Sequence, residues 1–186
     1  MSDDSLIIYE EEITRIDALM AKMLKGKIDL AAWQTMVREE LRDLYGQSII
    51  VVRGGVENMS KADWGRLGAA VQAQYKYLDR FAKQIEADAM AGKLKAPGYY
   101  LKRMAMYVND ASVAYWRTLV ADAKKAKKTV LVYWETGFVK TEHCPDCAAL
   151  AAASPYKLSE LKFVPRDGHT ACRMACGCGL RFSSEP

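Results

Sequence analysis

All five cysteines of this 186-residue chain fall within one short stretch near its C-terminal end. Two of them form the turn Cys144-Pro145-Asp146-Cys147, and the other three are Cys172, Cys176 and Cys178. A Cys-x2-Cys turn joined by a second cysteine group farther along is the spacing with which proteins surround a tetrahedral zinc ion. The pattern therefore predicts a structural metal site that holds this part of the chain together.

The number of thiols exceeds the number of positions on the metal, because a structural zinc ion takes four ligands. We expect Cys144, Cys147, Cys172 and Cys176 to bind zinc. The first two are a firm pair, and the spacing of the other two resembles a second turn of the same kind. Cys178 is the alternative ligand. It is separated from Cys176 by one residue only, so the two could bind the same ion only with a tighter backbone turn.

Other uses of the cysteines agree less well with the sequence. A disulfide framework would leave one thiol over, and nothing else indicates an oxidising compartment. Metal-free thiols that are buried as small apolar groups are a second alternative. His143 and His169 lie next to the cysteine groups and are further candidate ligands. A catalytic zinc is not expected, because such sites keep one position open for water.

Composition and charge indicate an ordinary soluble chain. Apolar residues make up 51%, charged residues 27%, and the net charge of +4 permits contact with nucleic acid without demanding it. No apolar run approaches the roughly 18–20 residues of a membrane helix. The acidic start, residues 1–4, is unlike a secretory signal. We therefore expect a protein that has no membrane partner and stays in a reducing cytoplasm.

Helical periodicity dominates the chain up to about residue 125. Apolar side chains recur every three to four positions in four segments, which predicts four helices joined by short loops. The expected segments are 3–25, 29–46, 60–92 and a last one that starts at residue 99 or 100. The β-branched run 49–52 fits a loop or an edge strand equally well. The stripes predict one helical core that includes Trp64, Leu67, Leu78, Leu101 and Val108.

The C-terminal stretch has a different pattern. Residues 129–135 are β-branched and aromatic, which predicts a strand, and shorter strands are expected at 161–164 and 180–182. Phe138-Val139 is expected to pair with the strand that precedes it. Residues 148–153 are expected to form a helical turn. The fold class expected is mainly α: a helical bundle domain at 1–128, followed by a small α+β, zinc-ribbon-like module at 129–186.

The C-terminal stretch resembles the C-terminal domain of the head-morphogenesis proteins of tailed bacteriophages, the minor head proteins of the phage Mu type. The features that carry the resemblance are Trp134 on a strand, Cys144-Pro145-Asp146-Cys147, Ser154-Pro155-Tyr156, Pro165-Arg166-Asp167-Gly168, Thr170-Ala171-Cys172 and Cys176-Gly177-Cys178. The chain departs from many of these proteins at two positions. Cys172 stands where they have histidine, and Gly177 stands where they have arginine.

This resemblance implies a structural component of the phage virion at the head, the portal vertex or the neck, made in the cytoplasm of the bacterial host. The size of the chain suits a minor head protein or a head–tail adaptor, without catalytic residues. The implied partners are the portal, other head or neck proteins and further copies of this chain in a ring, with at most weak contact with packaged DNA. The candidate interface residues are Tyr99, Tyr100, Met106 and Trp116.

The alternative interpretation is a zinc-ribbon regulatory protein that binds nucleic acid. Such a protein needs lysines and arginines that face a polyanion. The cluster Lys124, Lys125, Lys127 and Lys128 at the end of the last predicted helix is one candidate. A solvated helix end explains the same lysines, because cations there interact favourably with the helix dipole.

Overall fold

A computed structural model describes residues 3–125, 129–136 and 143–184 of the chain. Across these residues the protein is mainly α-helical, with a small antiparallel sheet near the C-terminal end. The predicted fold class is therefore confirmed. The chain divides into two compact units, Ser2–Val108 and Asn109–Pro186, and the division falls inside a continuous helix. The partition into separately folding domains at 1–128 and 129–186 stays a prediction.

The first unit consists of long helices. In its described part these are α1 (Asp3–Leu24), α2 (Leu30–Arg53), α3 (Lys61–Met90) and the first half of α4 (Pro97–Lys125). Asp29 caps α2 by accepting a hydrogen bond from the backbone N–H of Ala32 at 2.7 Å. Ser60 and Asp63 form the predicted capping box at the start of α3. The four predicted helices are thus all present.

Helix α2 ends later than the sequence pattern predicts. It continues through Gly46 to Arg53, so the β-branched run 49–52 is helical and forms neither a loop nor an edge strand. The prediction of a stop at Gly46 is wrong, because Ile49 one turn later is buried in the core and keeps the segment helical. The helix ends at Gly54 instead, whose φ of 71° lies in the left-handed region that glycine adopts easily.

An aromatic cluster occupies the core of the first unit. The ring of Phe81 on α3 lies 6.2 Å from Trp33 on α2, in an edge-to-face arrangement. Two tyrosines of α4, Tyr100 and Tyr107, approach the same ring at 6.1 Å and 6.5 Å. The guanidinium of Arg103 covers it at 5.6 Å. Such pairs add about 0.5–1.5 kcal/mol each to the stabilisation from burial, so this cluster holds three helices together.

The predicted core is largely present, with one clear error. Leu67, Leu78 and Val108 are buried and Leu101 is partly so, but 47% of Trp64 is exposed. Successive helical residues are rotated by about 100°. At the start of α3 the inward position is taken by Asp63, which is buried against Arg53, and Trp64 is therefore turned outward. At this position the buried ion pair, and not the apolar spacing of Trp64, determines which side chain faces the core.

Leu78 gives a direct test of this core, because its side chain is fully buried on α3. Changing Leu78 to alanine should lower the free energy of unfolding by about 2–5 kcal/mol through lost burial and a residual cavity. The matched control is Met90→Ala on the same helix, where 82% of the residue is exposed. Urea unfolding followed by circular dichroism measures both. Equal losses in the two variants would show that the stripe is not the core.

The second unit contains the small sheet and a short helix. Its described elements are the second half of α4, β1 (Val130–Glu135), α5 (Pro145–Ala152), β2 (Tyr156–Lys157) and β3 (Gly179–Ser184). Over the residues described, the strand order is β2-β1-β3 and both pairings are antiparallel. The strands predicted at 129–135 and 180–182 and the helical turn at 148–153 are confirmed.

One predicted strand is replaced by another. Residues 161–164 form no strand, and Tyr156 pairs with Val132 in the position beside β1. The expected pairing of Phe138-Val139 lies outside the described residues. Within β1 the side chains of Val132 and Trp134 are buried, and those between them are more exposed, as the two-residue period of a strand requires. None of the helices described is both long and apolar enough to cross a membrane.

Candidate metal centre

The side chains of all five cysteines meet at one place in the second unit. The Sγ atom of Cys172 lies 3.5 Å from that of Cys144 and 3.6 Å from that of Cys147. On the other side, Cys147 Sγ lies 3.5 Å from Cys176 Sγ. Cys178 joins Cys147 and Cys176 in a second group, whose sulfur atoms lie within 4.8 Å of one another. Cys147 belongs to both groups and is the centre of the cluster.

These separations fit a thiolate-bound metal ion. A tetrahedral zinc ion with Zn–S bonds of about 2.3 Å holds its sulfur atoms roughly 3.8 Å apart. The three measured contacts of 3.5–3.6 Å are close to the edges of that tetrahedron. Thiolate donors alone select soft or borderline ions such as Zn²⁺ and Cu⁺, and exclude Mg²⁺ and Ca²⁺. The cluster can therefore hold a metal ion, as the cysteine spacing predicted.

The first cysteine turn is built on the start of α5. Cys144 is the N-cap, Pro145 follows in the first turn, and Cys147 comes within that same turn. Burial disfavours the thiolate of Cys144, but hydrogen bonds from the backbone N–H groups of Cys147 and Cys172 outweigh it and lower the pKa of Cys144. Asp146 links the two cysteine groups by accepting a hydrogen bond from Ala171 N at 2.7 Å. The turn thus favours the thiolate form of Cys144, the form that binds a metal ion.

The second cysteine group follows a short 3-10 turn, Arg173–Ala175. The hydrogen bond from the Cys178 thiol, followed by its backbone N–H, lowers the pKa of Cys176 to about 5 despite burial. The same pairing raises the pKa of Cys178, and burial raises that of Cys147. Thiols bind metal ions as thiolates, so any cysteine of the cluster that carries a proton must lose it on binding. A bound ion must displace those protons, so acid weakens its binding.

Arg166 connects the second cysteine group to α4. Its Nε donates a hydrogen bond to the carbonyl oxygen of Cys176 at 2.7 Å, and its Nη1 lies 3.3 Å from Ser112 Oγ. Arg166 has a φ of 69°, which is uncommon for a residue with a side chain. The neighbouring Asp167 braces the loop by accepting a hydrogen bond from Val164 N at 3.0 Å. Arg166 is thus a supporting residue that the cysteine pattern alone did not identify.

The two histidines are outside the groups of candidate ligands in the described structure. His169 points away from the sulfur atoms: its Nδ1 lies 3.0 Å from Asp167 Oδ1, and 64% of its side chain is exposed. Its ring stacks on Phe163 at a centroid distance of 5.5 Å. His143 is half-buried. The geometry therefore favours the thiols over either histidine as ligands.

Aromatic residues form a wall next to the centre. Trp134 is buried, packs edge-to-face against Phe163 at 6.0 Å, and donates its backbone N–H to Ser154 Oγ at 2.8 Å. A pocket of about 270 Å³ opens beside it, lined by Trp134, Leu150, Tyr156, Glu160, Leu161, Lys162 and Phe163. The sequence pattern predicted a strand at Trp134 but not this pocket, because the residues that line it come from separate segments that meet only in the folded chain.

The four candidate interface residues fall into two pairs. Tyr99 and Met106 are exposed, so they remain candidates for contact with a neighbouring subunit. Tyr100 and Trp116 are buried within the chain and offer no surface to a partner. For these two, the prediction of an interface role is wrong because their side chains are buried. The spacing of apolar residues along α4 could not distinguish a buried position from an interface position.

Fold and site together define a class: a mainly helical protein whose second unit has a cysteine cluster able to hold a metal ion. Comparison with protein-family models, with curated proteins and with solved structures finds no match. The resemblance to phage head-morphogenesis proteins therefore stays a prediction from the sequence motifs.

Proposed function

We propose that this chain is a structural protein of a tailed-phage virion, located at the head, the portal vertex or the neck, and that one zinc ion staples its second unit. The observation that carries the proposal is the convergence of the five thiols, with contacts of 3.5–3.6 Å. The cysteines that meet in space are those in the motifs that resemble the phage proteins. A minor head protein and a head–tail adaptor are both compatible with this arrangement.

Zinc is the ion that suits such a role best. It has no redox chemistry, accepts tetrahedral thiolate ligands and contributes directly to folding. Apart from the second half of α4, the second unit has only a small sheet and a short helix in its described part, and elements this short bury little apolar area. A metal ion compensates for that, as it does in other small modules. The proposed ligands remain Cys144, Cys147, Cys172 and Cys176, with Cys178 as the alternative.

Two exposed side chains of the helical unit suit a role in assembly. Tyr99 and Met106 are exposed side chains of the kind enriched at protein interfaces. We propose that they contact the portal, another head or neck protein, or the next copy of this chain in a ring. The net charge of +4 permits contact with packaged DNA without demanding it, and we expect that contact to be weak at most.

The proposal predicts that this chain is present in purified phage particles or in their assembly intermediates, with about one zinc ion per chain. Mass spectrometry of particles from the source phage measures its presence and copy number, and elemental analysis of the recombinant chain measures zinc. A Tyr99→Ala, Met106→Ala double variant should fold normally but enter particles less efficiently. Tyr77→Ala, another exposed aromatic on the same unit, is the matched control. Absence from particles and intermediates alike would refute the virion role.

The alternative, a nucleic-acid-binding regulator, makes an opposite prediction. Its affinity for duplex DNA would be high at low salt and fall steeply as salt displaces contacts with phosphate. Lys124 and Lys125, both exposed at the end of α4, would then be required. We expect weak DNA binding that changes little when both lysines are replaced with glutamine. Tight, salt-sensitive binding by a chain that is missing from particles would favour the regulator instead.

A further inference from the structure

We propose that residues 90–106, which join α3 to α4 and are called the basic tip below, bind the acidic start of α1 in a second copy of this chain. This inference rests on the ring of the proposed function and deepens it by naming the two surfaces of one contact. A ring is built from heterologous contacts, in which one surface of each copy binds a different surface of the next. The partner surface is therefore an acidic helix that also carries apolar residues.

The basic tip combines positive charge with exposed apolar side chains. It contains four cationic residues, all of them exposed, and no aspartate or glutamate. It also contains four of the eight large apolar side chains that are exposed in the described part of the chain. Single exposed apolar residues are ordinary, but several gathered in one short stretch mark a binding surface. The cations are Lys93, Lys95, Lys102 and Arg103, and the apolar residues are Met90, Leu94, Tyr99 and Met106.

Hydrogen bonds hold the basic tip in one shape. After α3 the chain turns at Gly92, whose φ is 64°, and Lys93 donates its backbone N–H to the carbonyl oxygen of Asp88 at 2.8 Å. Lys95 donates its backbone N–H to the hydroxyl oxygen of the buried Tyr100 at 2.9 Å. A surface that is held in one shape before binding loses less conformational entropy when a partner docks on it.

The start of α1 has the complementary composition. The helix begins at Asp3, and its first ten residues include five acids and no lysine or arginine. Residues 6–9 of the same segment are apolar, so the segment offers both negative charge and apolar contact. Complementary charge steers two surfaces together and disfavours partners of like charge. The five acids are Asp3, Asp4, Glu10, Glu11 and Glu12.

These two segments lie at opposite ends of the first unit. A short connection joins α1 to α2, and Arg15 Nε lies 3.4 Å from Glu40 Oε2, so the two helices are antiparallel. Arg53 at the end of α2 pairs with Asp63 at the start of α3. The start of α1 is therefore at the end of the unit where α3 begins, whereas the basic tip follows the other end of α3. The 30 residues of α3 span about 45 Å, so within one copy the two segments are too far apart to bind each other.

Self-association of the reduced, zinc-loaded chain is the first test. Sedimentation velocity over a range of protein concentrations should show oligomers that dissociate as the salt concentration rises, because the contact joins opposite charges. Lys93→Glu with Lys95→Glu should weaken association by at least about tenfold, since like charges would then face each other. The matched control is Lys124→Glu with Lys125→Glu, the same change of charge at two exposed lysines outside the tip. The control should associate as the wild type does.

A mixture of two variants tests the pairing itself. A chain with Glu10→Lys, Glu11→Lys and Glu12→Lys should also fail to associate. When it is mixed with the Lys93→Glu, Lys95→Glu variant, the reversed tip can bind the reversed helix, and the unchanged tip can bind the unchanged helix. Mixing two monomeric variants should therefore restore oligomers. Circular dichroism checks that each variant folds.

Chemical cross-linking tests the same contact without any substitution. A carbodiimide joins lysine amines to carboxylates that touch them, and a mixture of isotope-labelled and unlabelled wild-type chains distinguishes links between copies from links within one copy. The expected links between copies join Lys93 or Lys95 to residues 10–12. Links from these lysines that occur only within one copy would contradict the contact.

Several results overturn the inference. A wild type that stays monomeric at every concentration, association that the tip substitutions leave unchanged, or folded variants that stay monomeric when mixed would each do so. Binding of duplex DNA or of phosphatidylglycerol vesicles through the tip, by a chain that does not self-associate, would assign the tip to a polyanion or a lipid surface instead.

Failure of this inference is distinct from failure of the proposed function. A chain that is present in particles but does not self-associate through the tip refutes the inference and leaves the virion role intact. Tip-dependent oligomers of a chain that is absent from particles and intermediates support the inference and refute the virion role.

Discussion

Replacing Cys147 with serine should abolish stable metal binding and unfold the second unit. Cys147 is buried and is the one cysteine of the described residues that belongs to both groups of thiols, so each group loses a ligand without it. In small zinc modules the apparent binding free energy of about 10–16 kcal/mol is also folding free energy. Elemental analysis measures the metal, and hydrogen exchange measures protection of β1 and β3. The expected result is a zinc content near zero and rapid exchange in both strands.

The helices of the first unit should remain largely folded in this variant. Its core is built around Phe81, Trp33 and the tyrosines of α4, none of which depends on a cysteine. The control is Ala148→Ser, an exposed position next to Cys147 on α5, which should keep its metal and its protection. Removal of zinc from the wild type with a chelator should reproduce the Cys147→Ser result. Retention of one zinc ion per chain by Cys147→Ser would contradict the centre as described here.

Replacing Asp63 with alanine should lower the free energy of unfolding by about 3–5 kcal/mol, because it removes the carboxylate that balances the charge of a mostly buried arginine. The side chain of Asp63 is 2% exposed, and its Oδ1 lies 2.7 Å from Arg53 Nη2. The same carboxylate pairs with Arg66 and completes the capping box by accepting the backbone N–H of Ser60 at 3.0 Å. Denaturant unfolding of the zinc-loaded chain measures the loss.

The effect of Asp63 should depend on pH in a defined direction. The hydrogen bond from Arg53 lowers the pKa of this carboxyl well below its ordinary value, in spite of burial. A group whose pKa is lower in the folded state stabilises the fold fully above its unfolded pKa, which is about 3.9 for aspartate, and loses that contribution as the pH falls further. The difference between wild type and Asp63→Ala should therefore be constant near neutral pH and shrink below about pH 4.

Two variants separate the causes. Asp63→Asn keeps an oxygen that can cap the helix but removes the charge, so a loss close to that of alanine would assign the effect to the ion pair. Asp79, which pairs with Arg38 at a more exposed position on α3, is the matched control. Its replacement with asparagine should cost about 0–1 kcal/mol, as is usual for exposed pairs. Similar losses of unfolding free energy at both positions would show that the stabilisation by Asp63 does not depend on its burial.

Much of the helical unit was predictable because its signals are local. The capping box at Ser60 and Asp63 and the cap at Asp29 mark helix starts through hydrogen bonds that span three residues. The period of apolar residues likewise identified Leu67 and Leu78 as core. Gly46 and the run after it misled the prediction, because local preference was overridden by the burial of Ile49.

The sequence by itself determined that a metal centre was to be expected and that its candidate ligands are the five cysteines, because thiol spacing limits what the backbone can bring together. It also indicated a helical unit followed by a small sheet. Only the tertiary structure decided that all five thiols meet around Cys147 and that Arg166 reaches Ser112. These contacts join segments far apart in the chain, and no short-range pattern encodes which of them become neighbours.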